Sequence, residues 1–194
     1  MILEGIVTTI DAEGRLHAAA MGPEVHDRDI DRGSGGIARL LLKPFASSTT
    51  HGNLARHPEG VFHLTDDVLL LARLVLGETH ATLAARPAEA VRGFVLDSAC
   101  LAYEFRAKDA EMTGPRARFS AEIVRTHSMR PFLGFNRASH AVVEGAILVS
   151  RIGILPIDEI RRQMERLGEL VEKTSGQREH EAFALLVARV AGEA

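Results

Sequence analysis

A strand followed by a hydroxyl-rich turn is encoded in residues 37–54, which read Ile-Ala-Arg-Leu-Leu-Leu-Lys-Pro-Phe-Ala-Ser-Ser-Thr-Thr-His-Gly-Asn-Leu. The apolar run Ile37–Pro44 predicts a β-strand that ends at its proline. Gly60–Thr65 predicts the next strand. The two strands are therefore joined by the polar segment 47–57.

More strands are predicted on both sides of this segment. Ile2–Ile10 is rich in β-branched residues, and a turn at Asp11–Gly14 returns the chain into Arg15–Met21, which predicts a hairpin. Three later strands are predicted at Val91–Ala99, Leu101–Ala107 and Arg116–Thr126, the last two separated by the polar segment 108–114. Six or seven strands with few helices between them favour a closed antiparallel barrel.

Helices are predicted at Val68–Leu76 and throughout the last third of the chain. Asp66 and Asp67 are suited to begin the first helix, because carboxylates favour its positive end. Beyond Pro131 the apolar residues recur at helical spacing, and Asn136 can cap a helix there. We therefore predict an α+β fold, with an antiparallel barrel in residues 1–130 and a helical segment in residues 131–194 that packs on the barrel or on a dimer partner.

The composition argues against several classes of function. The chain has 194 residues, 46% of them hydrophobic, and its formal charge of -3 favours neither nucleic acid nor a membrane surface as a partner. The single cysteine, Cys100, cannot form an intramolecular disulfide and is typical of a reducing cytoplasm. The apolar run Val68–Leu76 is far shorter than the roughly 20 residues that a membrane span needs. An anionic ligand must therefore be bound by local donors.

The hydroxyl residues 47–50 are the strongest local signal for such donors. Their O–H groups and the nearby main-chain N–H groups can converge on one phosphate, and Lys43 can neutralise its charge. The alternative is that Ser48 or Thr50 only caps a short helix that runs toward Asn53. The residues alone leave both interpretations open.

Other chemistry has weaker support in the sequence. His63 with Asp66 and Asp67 lacks the fuller ligand set of a zinc or iron site, so no metal is predicted. Nothing assigns a base to Cys100. The chain contains no Gly-x-Gly-x-x-Gly, Walker, Gly-x-Ser-x-Gly or His-Glu-x-x-His motif, and the catalytic residues stay unknown.

Five segments together resemble one known family: Val7–Asp11, His17–Pro23, Pro44–Thr50 with Asn53 and Leu54, Gly60–Leu71, and Gly134–Arg137. The chain is similar over nearly its whole length to an uncharacterised family of archaeal and bacterial proteins that carries a domain-of-unknown-function label. Members of that family adopt the flavin-reductase-like FMN-binding split β-barrel. The resemblance thus implies a split barrel and FMN as the cofactor.

The resemblance also implies which residues contact the cofactor. It places the FMN phosphate in the turn, Thr65 and Asp66 near the flavin, and Thr8 and Thr9 along the same cleft. The complete set of predicted cofactor-binding residues is Thr8, Thr9, Lys43, Ser47, Ser48, Thr49, Thr50, Asn53, Thr65 and Asp66. The chain has no tryptophan and one tyrosine, so the aromatic side chain that stacks on the flavin ring would be Phe45, Phe62, Phe132, Phe135 or a side chain of the dimer partner.

By this resemblance the protein is expected to be a cytoplasmic, homodimeric FMN oxidoreductase that acts on a small molecule, with NAD(P)H as a possible electron donor. The small-residue face formed by Ala138, Ala141 and Gly145 then lies either in the dimer interface or inside the helical segment. Two alternatives stay open. One is a non-catalytic flavin- or pterin-binding or dimeric docking module on the same barrel, and the other is a barrel without ligand whose hydroxyl residues only cap helices.

Overall fold

A computed structural model describes every residue except 32, 34, 35, 79–82, 114 and 194. For residues 109, 110, 112 and 113 it describes the backbone but not the side chain. The chain divides into two compact units. The first unit comprises Met1–Thr65 and His80–Pro131, and the second comprises Asp66–Thr79 and Phe132–Ala194. Residues 66–78, which the sequence placed in the first domain, therefore lie in the helical unit.

The elements of the first unit are ten strands and one α-helix in the described residues. In chain order they are β1 (Gly5–Ile10), β2 (Leu16–Met21), β3 (Ile30–Asp31), β4 (Gly36–Ile37), β5 (Arg39–Leu42), α1 (Thr49–Arg56), β6 (Glu59–Leu64), β7 (Ala85–Pro87), β8 (Phe94–Leu96), β9 (Leu101–Thr113) and β10 (Arg116–Ser128). The second unit contains α2 (Val68–Val75), α3 (Arg137–Val149), α4 (Ile157–Thr174) and α5 (Gln177–Ala191). The predicted α+β class is confirmed.

Six of the strands form one antiparallel sheet in the order β2-β1-β6-β9-β10-β5. The predicted first hairpin is present because its turn is built locally. The carboxylate of Asp11 accepts hydrogen bonds from the N–H groups of Glu13 and Arg15, and Gly14 adopts a φ of +80° that other residues rarely take.

The larger core cluster of the first unit lies on one face of this sheet, and a smaller one, formed by Val61, Val95 and Ala102, lies on the other. Along β10, Ala117, Phe119 and Ala121 are buried whereas Arg116 and Arg118 are exposed, as the two-residue period of a strand requires. Leu42 and Leu54 pack into the same cluster from β5 and α1. Full burial of a side chain of this size contributes about 1.5–3 kcal/mol, so this cluster fixes the position of α1 against the sheet.

The predicted closed barrel is not shown by the strand pairing of the described residues, because β2 and β5 are the edges of the sheet order. The segment after β2 does reach β5. The N–H of Glu24 donates to the carbonyl of Leu41 over 2.9 Å, and the N–H of Leu41 donates back over 2.8 Å. These two bonds join the segment after β2 to β5 at one residue pair.

Two strand predictions differ from the structure. Val91–Ala99 contains only the three-residue β8, because the N–H of Val91 bonds to the Glu104 carboxylate and the N–H of Arg92 to the Glu59 carboxylate instead of a neighbouring strand. In contrast, β9 continues through residues 108–113, which were predicted to separate two strands. Lys108 is opposite Ser120 in the β9–β10 ladder and pairs with Glu122, so polar side chains are accommodated on this ribbon.

The second unit is built from helices whose starts were visible in the sequence. The Asp67 side chain accepts a hydrogen bond from the N–H of Leu70 and caps α2, and Asn136 caps α3 through the N–H groups of Ala138 and Ser139. No helix of the described residues is long and apolar enough to cross a membrane.

The small-residue face of α3 packs inside the second unit. Ala138 and Ala141 are fully buried, and a Cβ at Gly145 would lie 3.3 Å from Leu186 of α5 and 3.4 Å from Met164 of α4. The alternative that this face forms a dimer interface is therefore wrong.

Candidate functional site

The hydroxyl turn, residues 47–50, leads directly into α1. The Ser48 hydroxyl donates to the carbonyl of Phe45 over 2.7 Å and accepts from the N–H of His51 over 3.2 Å. Ser48 is thus the N-cap of α1, and the helix-cap interpretation of this residue is correct. Capping does not exclude ligand binding by its neighbours, because one side chain satisfies only part of the first helical turn.

Several donors of this turn are not used by the protein. Within the part of the chain that the structure describes, the N–H groups of Thr49 and Thr50 and the hydroxyls of Ser47 and Thr49 make no hydrogen bond. Ser47 and Thr49 are exposed. The turn therefore presents two N–H and two O–H donors at the positive end of a helix, which is a donor set suited to a phosphate.

Three other predicted residues attach α1 to the sheet. The amide of Asn53 donates to the hydroxyl of Thr9 on β1 over 3.0 Å, and both side chains are buried. The hydroxyl of Thr50, also buried, is 3.4 Å from Nε2 of His17 on β2. These contacts bring Thr9, Thr50 and Asn53 together, and they fix where the hydroxyl turn sits on the first unit.

Thr8 and Thr65 of the first unit make contacts outside this cluster, and Asp66 lies in the second unit. The hydroxyl of Thr8 is fully buried and donates to the carbonyl of Phe94 over 2.7 Å. The hydroxyl of Thr65 donates to the carbonyl of Ser98 over 3.1 Å. Asp66 belongs to the second unit, where its carboxylate accepts from the N–H of Leu133 over 3.0 Å.

Among the described residues, two cations lie beside the turn, and only one of them is paired with a carboxylate. The ammonium of Lys43 forms an ion pair with Glu24, and this hydrogen bond holds the pKa of the Glu24 carboxyl below its usual range. The guanidinium of Arg116 lies 3.9 Å from the centre of the Phe45 ring and donates to the carbonyl of Lys43 over 3.0 Å. No carboxylate of the described residues forms an ion pair with Arg116.

Of the four phenylalanines considered for flavin stacking, Phe62 is excluded by burial. Its ring has no exposed area and stacks with Tyr103 inside the core. Phe45 is 43% exposed in the first unit. Phe132 and Phe135 lie in the second unit, in edge-to-face contact with each other, and both are exposed.

Two buried ionisable groups were not identified as important from the sequence. Burial lowers the pKa of His63 to about 4, and its neutral ring accepts from the N–H of Leu96 while Nδ1 lies 3.1 Å from the carbonyl of Ile6. From the sequence, His63 was considered only as a metal ligand. In the described residues no group of three or more His, Cys, Asp or Glu side chains is arranged to hold a metal ion.

The second missed group is Glu104, whose side chain is fully buried in β9. Burial by itself raises the pKa of this carboxyl, but hydrogen bonds from the N–H groups of Glu89 and Ala90 and from His127 lower it below the usual value. A glutamate within the apolar run Leu101–Ala107 is the signal that could have identified this position.

Family models match nearly the whole chain. The model described as "Protein of unknown function (DUF447) N-terminal domain" matches residues 3–130, and the model described as "Protein of unknown function (DUF447)" matches residues 136–188. No curated protein matches this chain.

Solved structures with the same fold include flavin proteins. An FMN-bound DUF447 protein from Methanosarcina mazei is 17% identical, with a TM-score of 0.79, over 97% of this chain and 94% of that one. The flavin reductase HpaC in complex with NADP+ is 14% identical, with a TM-score of 0.56, over 70% of this chain and 82% of that one. The 2-nitrobenzoate 2-nitroreductase NbaA of Pseudomonas fluorescens is 15% identical, with a TM-score of 0.52, over 64% of each chain. At these identities the likeness shows the fold.

Proposed function

The chain belongs to the DUF447 family, and we propose that it is a flavoprotein that binds FMN without a covalent bond and uses it as an oxidoreductase on a small molecule. Support for FMN comes from the fold, which the FMN-bound protein of Methanosarcina mazei shares along almost its entire length. It also comes from the donors of the hydroxyl turn, which are chemically suited to a phosphate.

The observation that carries the proposal is the set of unused donors at the start of α1. The unpaired N–H groups of Thr49 and Thr50 and the hydroxyls of Ser47 and Thr49 provide four hydrogen bonds for one dianion. Hydrogen bonds to an ionised phosphate are about twice as strong as those between neutral groups. We therefore assign direct phosphate contact to these residues.

The other predicted residues of the cluster receive a supporting role in this proposal. Ser48 caps the helix, so it holds the N–H groups in a helical arrangement. Asn53 and Thr50 attach α1 to Thr9 and His17 on the sheet. A site whose donors are fixed before the ligand arrives loses less ordering entropy on binding.

FMN, when bound, supplies hydride-transfer chemistry, and the protein contributes binding, orientation and exclusion of water. This division of roles explains why the sequence needs no triad or metal motif. The fold similarity to a flavin reductase that was solved with NADP+ supports NAD(P)H as the electron donor. The resemblance also supports a homodimer and a split barrel, and the Glu24–Leu41 hydrogen bonds between the segment after β2 and β5 support the barrel part of this proposal.

The test of cofactor binding is a titration of the purified, flavin-free chain with FMN. We expect quenching of the flavin fluorescence, or a shift of its absorbance bands, that saturates in the micromolar range or below. A chain that is correctly folded by circular dichroism and still fails to bind FMN at micromolar concentration contradicts the proposal.

Redox turnover is tested separately. We expect NADH or NADPH to bleach the visible absorbance of the bound flavin under anaerobic conditions. Bound FMN that neither nucleotide reduces, but that dithionite does, would support the non-catalytic flavin-binding module instead.

A further inference from the structure

We propose that Arg116 supplies the positive charge that binds the FMN phosphate at the hydroxyl turn, and that this residue sets the preference of the protein for FMN over riboflavin. The inference rests on the proposed function, since it concerns the same ligand. It assigns a role to a residue outside the set of cofactor-binding residues predicted from the sequence.

The backbone places Arg116 beside the segment that enters the turn. Phe45 and Arg116 form a β-bridge. On either side of this bridge, the N–H of Ala46 donates to the carbonyl of Pro115 and the N–H of Ala117 donates to the carbonyl of Pro44, both over 3.0 Å. The start of β10 and residues 44–46 are therefore a paired unit, and Ser47 follows immediately.

The side chain of Arg116 is held in place by two contacts that leave most of its donors free. Its guanidinium lies 3.9 Å from the centre of the Phe45 ring, and Nη1 donates to the carbonyl of Lys43. A guanidinium carries five N–H donors in a planar fork that matches two phosphate oxygens at once. Stacking on an aromatic ring restricts the side chain without using those donors.

Among the other cations near this position, Lys43 is ion-paired, whereas Arg118 and Arg56 form no ion pair with the described residues. Lys43 forms an ion pair with Glu24, and the charge of Arg118 also acts on the Glu24 carboxyl. Arg56 lies in the last turn of α1, at the opposite end from the hydroxyl turn, and donates to Asn53. Arg116 forms no ion pair with the described residues, so its charge is available for an anion.

FMN and riboflavin distinguish this role from a structural one, because they differ only by the phosphate. We would titrate the flavin-free wild type, Arg116→Gln and Arg118→Gln with each ligand and compare the dissociation constants. Arg118 is the matched control, since it lies on the same exposed face of β10 without a contact to Phe45. Thermal unfolding of each variant reports its folding.

We expect Arg116→Gln to bind FMN about 10- to 100-fold more weakly than the wild type, as lost charge-assisted hydrogen bonds predict, and to bind riboflavin with unchanged affinity. Arg118→Gln should retain the wild-type ratio of the two affinities. Arg116→Lys, which keeps a charge without the planar fork, should lie between the wild type and Arg116→Gln, and it serves as the test variant if Arg116→Gln does not fold.

The inference is overturned if the wild type binds FMN and Arg116→Gln keeps the wild-type ratio of FMN to riboflavin affinity. Equal weakening of both ligands also overturns it, because the effect is then not on the phosphate. If the wild type itself binds no FMN, the proposed function fails, and that outcome is seen without any variant.

Discussion

Replacing Glu104 by glutamine tests whether the buried carboxylate stabilises the first unit. One carboxylate oxygen accepts from the N–H of Glu89 over 2.8 Å and from Nε2 of His127 over 2.6 Å. The other accepts from the N–H groups of Ala90 and Val91 over 2.6 Å and 3.0 Å. A glutamine retains one of these acceptors and directs an NH₂ group at the other two donors.

The expected cost follows from this count of lost acceptors. Two donors that are at least partly buried lose their acceptor; at about 1–3 kcal/mol for each such group, we expect the free energy of unfolding to fall by about 2 kcal/mol and by about 6 kcal/mol at most. This is a large part of the roughly 5–15 kcal/mol that stabilises a typical domain. The segment 89–91 should lose its anchor, and the β7–β8 hairpin should be the first part to loosen.

Urea unfolding, followed by circular dichroism, measures this effect. For a slope of about 2 kcal/mol/M, the midpoint of Glu104→Gln should fall by about 1–3 M. Glu122→Gln is the matched control on the neighbouring strand, because Glu122 pairs with Lys108 while both side chains stay substantially exposed. An exposed ion pair contributes little to stability, so the control midpoint should barely move.

The pH dependence adds an independent readout. Because the folded-state pKa of Glu104 is lowered, its stabilising effect is present above the pKa of the unfolded state and is lost as the pH falls through the folded-state pKa. The difference between the wild type and Glu104→Gln should therefore narrow in acid. Equal midpoints for Glu104→Gln and the wild type at neutral pH would refute the reasoning.

Three further predictions concern residues of the first unit. The pKa of His63 is about 4 in the folded state against an ordinary value of 6.5, so the free energy of unfolding should fall by about 3 kcal/mol as the pH falls from 6.5 to 4. Urea midpoints of the wild type and a His63→Gln variant, measured across this pH range, check this. Parallel pH curves for the two proteins would contradict it. Ser48→Ala should lower the free energy of unfolding by about 1 kcal/mol through loss of the α1 cap, measured by the same method, whereas an unchanged midpoint would show that the cap is not needed. The double variant Ser47→Ala and Thr49→Ala should weaken FMN binding by about 1–3 kcal/mol with little change in riboflavin affinity, and equal loss for both ligands would argue against phosphate contact.

Local signals in the sequence were sufficient for the hairpin and the helix starts. The Asp11–Gly14 turn, Asp67 and Asn136 each act on backbone groups within a few residues, so their effect can be read without the rest of the fold. The hydroxyl residues were correctly placed between a strand and the next strand. The sequence left open whether these residues cap a helix or bind an anion. In the structure Ser48 caps α1, whereas its neighbours keep donors that make no hydrogen bond.

Long-range pairing accounts for the predictions that failed. The start of Val91–Ala99 is not a strand because the carboxylates of Glu104 and Glu59 accept from the N–H groups of Val91 and Arg92. The pairing of Lys43 with Glu24 and the stacking of Phe62 on Tyr103 depend on which strands become neighbours. Strand order in a sheet is not encoded in any single segment, so these contacts required the structure.

The order in which the two units occur along the chain constrains its synthesis. Residues 66–79 interrupt the first unit, and α2 packs with α3 and α5, which are encoded only after residue 131. As the polypeptide leaves the ribosome, α2 therefore emerges with its apolar side chains, such as Leu71 and Leu74, before their partners exist. A recombinant fragment that stops at residue 131 would leave these leucines permanently in water, and is expected to aggregate. Dissecting this protein by truncation thus requires the removal of both α2 and the C-terminal helices.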